Sequence, residues 1–94
     1  MDIAQTVLML RKKKGLSQVK MAKMIDITQA SLSHIESGRK MPHKSTIDKI
    51  CEVLEIPSNL FFLLATQPED LPEDSKGKYS SIESKLKQLI LDAF

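Results

Sequence analysis

Ninety-four residues, 41% of them hydrophobic, suffice for one small domain with a single core and a short appendage. Trp is absent and the aromatic share is 4%, so the core must rest on Leu, Ile, Met and Val. The single Cys51 excludes an intramolecular disulfide and fits a reducing compartment; with no apolar run near the ~20 residues of a membrane span, and no basic segment ahead of the apolar residues of Met1–Leu10, a soluble, cytoplasmic protein is expected.

The first helix is expected over Asp2–Lys14. Ile3, Ala4, Val7, Leu8, Leu10 and Arg11 recur at three- and four-residue spacing and face inward. Asp2 sits at the positive end of the helix dipole and Arg11–Lys14 at the negative end, and Gly15 stops the helix. Lys12–Lys14 suit either phosphate contact or a plain solvated terminus. The net charge of +2 is unevenly spread: residues 1–66 carry ten Lys/Arg against six Asp/Glu, a balance of +4, and residues 67–94 carry four against six, a balance of −2. A basic N-terminal part suits a phosphate-binding surface, although +4 also serves solubility alone.

Leu16–Arg39 reads as two short helices joined by a tight turn. Ser17 caps the first, over Gln18–Met24, whose Val19, Met21 and Ala22 turn inward. Ile25-Asp26-Ile27 is the turn. Thr28 caps the second, over Gln29–Ser37, with Leu32 and Ile35 inward and Gly38 as the left-handed residue beyond its end. The outer face of this second helix is small and polar: Gln29, Ser31, Ser33, His34. Such a face suits hydrogen bonding to base edges in a DNA groove.

The stretch resembles the helix-turn-helix of the Cro/C1-type (Xre-like) family, which includes phage repressors. The residues that carry the resemblance are Leu16-Ser17-Gln18, Ala22, Ile25 and Ile27, Thr28-Gln29, Leu32-Ser33 and Ile35-Glu36-Ser37-Gly38-Arg39. It extends from about Asp2 to Thr66. Asp26 departs from the glycine usual in the family's turn, but Asp tolerates a left-handed backbone better than most residues. The resemblance implies an all-α, five-helix lambda-repressor-like DNA-binding domain over residues 1–66. It also implies an ion pair between Arg11 and Glu36, bracing the first helix against the recognition helix, and phosphate contacts from Gln18 and Ser37.

Arg39, Lys40 and His43, in the loop just beyond the recognition helix, are expected to assist at phosphates. Gln29 is the foremost candidate for base reading, since glutamine bonds adenine bidentately. Ala30 suits a thymine methyl, and Ser33 and His34 lie one turn along; for these three an exposed helix face is an equal account. Ser45–Leu54 is expected as the fourth helix, with Ile47, Ile50, Cys51 and Leu54 inward, Cys51 as a core residue rather than a reactive thiol. The fifth, opening at Pro57 or Ser58 and ending near Ala65, leaves Phe62 as the residue to be left outside.

Residues 67–78 read as an acidic linker, with two prolines, four acids and a glycine. Residues 79–94 read as a C-terminal amphipathic helix, opened by a capping box of Ser80 and Glu83. Ile82, Leu86, Leu89, Ile90 and Phe94 fall on one of its faces. That stripe either folds back on its own domain or meets a partner, and a homodimer is the expectation. His34 and His43 have no Cys or acid at ligand spacing, and no glycine-rich phosphate loop or nucleophile arrangement is present, so neither an enzyme nor a metal or other cofactor is expected. The reading is a transcriptional regulator, a repressor, binding double-stranded DNA as a dimer. The alternative is a protein-interaction module, such as an antitoxin, whose C-terminal helix binds another protein.

Overall fold

The computed structural model describes residues 1–94. They form six α-helices: α1 (Ile3–Lys13), α2 (Gln18–Met24), α3 (Gln29–Glu36), α4 (Lys44–Leu54), α5 (Ser58–Ala65) and α6 (Glu73–Ala93), with a 3-10 turn at Pro68–Asp70. No helix is long and apolar enough to cross a membrane.

Short polar side chains start the first three helices. The Asp2 carboxylate accepts from the Gln5 amide, Ser17 Oγ from Lys20 and Thr28 Oγ1 from Ser31, each at 3.0 Å. These bonds satisfy amides that have no partner inside the helix. The first four helices also end alike, each passing through a left-handed residue: Gly15 (φ +70°), Asp26 (+60°), Gly38 (+79°) and Glu55 (+56°). The amide that follows reaches back into the last turn: Leu16 to the Arg11 carbonyl, Ile27 to Ala22, Arg39 to His34 and Ile56 to Cys51, between 2.9 and 3.2 Å. The tight turn of the helix-turn-helix is thus an ordinary helix stop with Asp26 where glycine is conformationally cheapest.

A left-handed backbone disfavours residues other than glycine by ~1–2 kcal/mol, while glycine loses ~0.4–1 kcal/mol through its freer unfolded chain. Glu55→Gly is therefore expected to stabilise the fold by about 0.5–1 kcal/mol, and Asp26→Gly by less, because Asp tolerates this region better. Urea midpoints at unchanged slope measure both. A lower midpoint for Glu55→Gly would mean that its side chain contributes more than its backbone conformation costs.

The core lies where α1, α4 and α5 meet and where α2 and α3 dock. Val7, Leu10, Met21, Ile25, Leu32, Ile35, Ile50, Leu54 and Phe61 are all essentially sealed from solvent. Cys51 belongs to this core. Burial, and then the nearby Asp48 carboxylate, push its thiol up to about 11, so it stays neutral and poorly nucleophilic.

Two burial assignments change. Val19 is 45% exposed, and Met21 and Ala22 carry the buried face of α2. At 100° per residue Val19 lies 200° from Met21, so the two cannot share one narrow face. Phe62 is half-buried rather than left outside; it packs on the core and meets the Phe61 ring edge-on at 5.6 Å.

The C-terminal segment differs most. The expected linker over 67–78 is a 3-10 turn closed by the Asp70 carboxylate on the Gln67 amide, and from Glu73 onward it is already α6. Proline and acids, read as linker composition, here mark a helix start: Pro72 precedes the first turn, and Glu73 and Asp74 sit at the positive end of the dipole. Ser80 is consequently inside the helix and caps nothing, while Glu83 pairs with Lys87 at 2.8 Å. The helix folds back on its own domain. Tyr79 and Ile90 are buried, and Leu86, Leu91 and Phe94 pack against the core. The Thr66 carbonyl, left over at the end of α5, accepts from Lys87 Nζ (2.7 Å) and the Tyr79 hydroxyl (3.2 Å). The expected stripe is thereby divided: Leu86, Ile90 and Phe94 face the domain, whereas Ile82 and Leu89 remain in solvent.

Candidate nucleic-acid interface

α3 presents its outer face from a braced position. Leu32 and Ile35 anchor it in the core, and Glu36 ties its far end to α1. Arg11 Nε donates to Glu36 Oε2 at 2.7 Å and Nη2 to Oε1 at 3.0 Å, a two-pronged pair. Arg11 Nη1 also donates to the Leu16 carbonyl at 2.8 Å. The two side chains are only 11% and 5% exposed. The hydrogen bond to Glu36 holds the guanidinium pKa above its usual value, so this charge is permanent.

The network continues to the surface. Gln18 Nε2 donates to Glu36 Oε1 at 3.1 Å, and Gln29 Nε2 donates to Gln18 Oε1 at 3.4 Å. A line of polar contacts therefore runs from the buried Arg11 to Gln29, the first residue of α3. Gln29, Ala30 and His34 are exposed on the outer face, and Ser33 beside them is half-buried. Nothing in the spacing of Gln18 and Gln29, eleven residues apart on different helices, announces their contact; it follows from the angle at which α2 and α3 cross.

The cationic rim lies in the loop after α3. Arg39 and Lys40 are exposed there, and Lys40 Nζ reaches back to Ser31 Oγ at 3.3 Å. His43 precedes α4 and makes no side-chain cap bond. Ser37 closes α3, its hydroxyl donating to the His34 carbonyl at 3.1 Å. Ser31, from the expected polar face, and Lys44, outside the expected contacts, bear on this region. Ser31 receives Lys40, and Lys44, in the first turn of α4, has a side chain 85% exposed beside Asp48. Lys44 could have been found by extending the basic loop one residue past His43. Chemically the surface offers amide and hydroxyl groups flanked by fixed cations, which suits polar base edges lying between rows of phosphates.

The sequence profile of the helix-turn-helix family matches residues 7–61, more than half of the chain. The chain is also similar to the ImmF control region 10 kDa protein of Bacillus phage phi105, with 33% identity over 57 residues, 61% of this chain. The match spans 63% of that relative's length, just under two thirds. With two capped helices meeting at the Asp26 turn inside a five-helix core, and with the profile covering that unit, the chain belongs to the Cro/C1-type helix-turn-helix family of DNA-binding regulators.

Proposed function

We propose that the protein is a repressor that binds a specific duplex sequence as two copies, with α3 in the major groove. The observation that carries this is Gln29: exposed at the leading end of α3, and held from behind through Gln18, Glu36 and Arg11. Residues at that end of a recognition helix meet base edges. Gln29 reads an adenine, with Ala30, Ser33 and His34 as further base contacts. Arg39, Lys40, His43, Gln18 and Ser37 hold phosphates and set the register. The name of the phage phi105 relative, a control region protein, supports a regulatory role. A two-fold operator then sets the two recognition helices about one DNA turn, ~34 Å, apart.

Selection of bound duplexes from a random pool tests this directly and should return a palindrome. On the selected site, Gln29→Ala is expected to weaken binding by about 1–3 kcal/mol while leaving non-specific binding nearly unchanged. Lys40→Ala is expected to weaken all sequences alike. Identical behaviour of the two variants would undo the division between base and phosphate contacts. A second reading, in which the protein chiefly holds a different protein, draws on the exposed Ile82 and Leu89 of α6. A tight complex with such a protein, combined with no selected duplex, would favour it.

A further inference from the structure

Helix α6 carries two apolar seams that share residues. One seam, through Tyr79, Leu86, Ile90 and Phe94, is used against its own domain. The other runs Tyr79, Ile82, Leu86, Leu89, Ala93, at spacings of three, four, three and four. That alternation is the signature of a helix prepared to pack along a second helix, knobs into holes. Ile82 is 54% and Leu89 61% exposed, and Ala93 is exposed beside them.

We infer that this second seam pairs antiparallel with α6 of a second copy of the chain. The choice of occupant comes from two-fold self-complementarity. Set antiparallel about a point between Gln88 and Lys87, the seam places Leu86 against Leu89 of the second copy and Ile82 against Ala93, large facing small at both ends. The flanking positions one residue before Leu86 and Ala93 are Lys85 and Asp92, both exposed. In this register Lys85 faces Asp92 of the second copy, and the symmetry makes the pair twice. A parallel pairing sets Lys85 beside Ile90 of the other chain, which is buried in its own domain, and leaves Asp92 unmatched. The opposite flank is occupied by the protomer itself. The inference deepens the two-copy reading proposed above: α6 joins the copies through its outer edge while its inner face stays docked on α5.

Sedimentation equilibrium of the full chain tests it. The wild-type chain is expected to dimerise. Replacing both Ile82 and Leu89 by Glu is expected to raise the dimer dissociation constant by at least roughly 100-fold, since two copies of each apolar side chain leave the seam. Both residues are exposed in the protomer, so its helicity should hold. Lys85→Asp or Asp92→Lys alone is expected to weaken the dimer by about 10-fold, through two lost pairs and the repulsion that replaces them. The double reversal, Lys85→Asp with Asp92→Lys, is expected to restore it. The two residues lie seven apart on one helix and cannot pair within a chain, so restoration has to come from the second copy.

A chain that stays monomeric overturns the inference and leaves the seam to a different protein. A dimer indifferent to the Glu replacements, or a double reversal no better than the single ones, overturns it too. A dimer that behaves as expected but selects no duplex removes the DNA reading and leaves this pairing standing. A monomer that selects a duplex does the reverse.

Discussion

Arg11→Ala is expected to lower the stability of the folded chain by about 3–5 kcal/mol. The Glu36 carboxylate is nearly sealed from water and receives both prongs of the guanidinium. Removing Arg11 leaves that carboxylate buried with only Gln18 to bond it, and leaves the Leu16 carbonyl without its donor. The large effect comes from the uncompensated charge rather than from the worth of the intact pair. For a domain of this size such a loss shifts the melting temperature by roughly 15–30 °C, and it is a substantial part of the ~5–15 kcal/mol that holds small domains folded. Lys13→Ala, on the exposed side of the same helix, is expected to change stability by no more than about 0.5 kcal/mol. A double replacement, Arg11→Met with Glu36→Leu, should recover much of the loss, because no charge is then stranded. Chemical denaturation of the four proteins decides. Equal midpoints for Arg11→Ala and Lys13→Ala would place Arg11 in solvent and remove the brace behind α3. The same variant bears on function, because Glu36 positions Gln18 and Gln18 positions Gln29.

Raising salt from about 50 to 200 mM is expected to weaken operator binding by roughly 250- to 1,000-fold, a log–log slope of about −4 to −5. The figure rests on the cations beside α3. On the proposed two-copy complex, Arg39, Lys40 and the exposed Lys44 would give four to six phosphate contacts, each releasing condensed counterions. Neutral donors such as Gln18 and Ser37, placed at phosphates in the proposed complex, would add nothing to the slope. Lys40→Ala removes one cation from each copy, so the slope should become shallower by about 2, whereas Gln29→Ala should leave it unchanged. Fluorescence anisotropy titrations across a salt series read both. A flat profile would exclude the phosphate-rimmed interface altogether.

How the chain could be read in advance depends on how far apart the interacting groups lie. Ser17, Thr28 and Gly38 were legible because a cap or helix stop is settled by hydrogen bonds within one turn. The left-handed backbone at Asp26, by contrast, was legible through the glycine usual at that place in the resembled family. The contact of Arg11 with Glu36 spans 25 residues, and no local rule proposes it; it came from the family resemblance. The fine line through Gln18 to Gln29 was not legible at all, since it depends on the crossing of two helices.

At the C-terminus, composition gave a linker where a helix begins. Proline and acidic residues favour both, and only the docking of Tyr79 and the capture of the Thr66 carbonyl by Lys87 and Tyr79 draw the helix back over Gly77. The amphipathic pattern of α6 was plain from its spacing. Its division into a buried edge at Ile90 and a free edge at Ile82 and Leu89 was not, because periodicity gives an apolar arc without saying which part a neighbour will cover. The sequence by itself determined the first five helices, their stops and the polar face of α3, all of which rest on bonds within a few residues. Only the tertiary structure decided the brace behind that face and the side of α6 left open, because both are set by packing between segments distant along the chain.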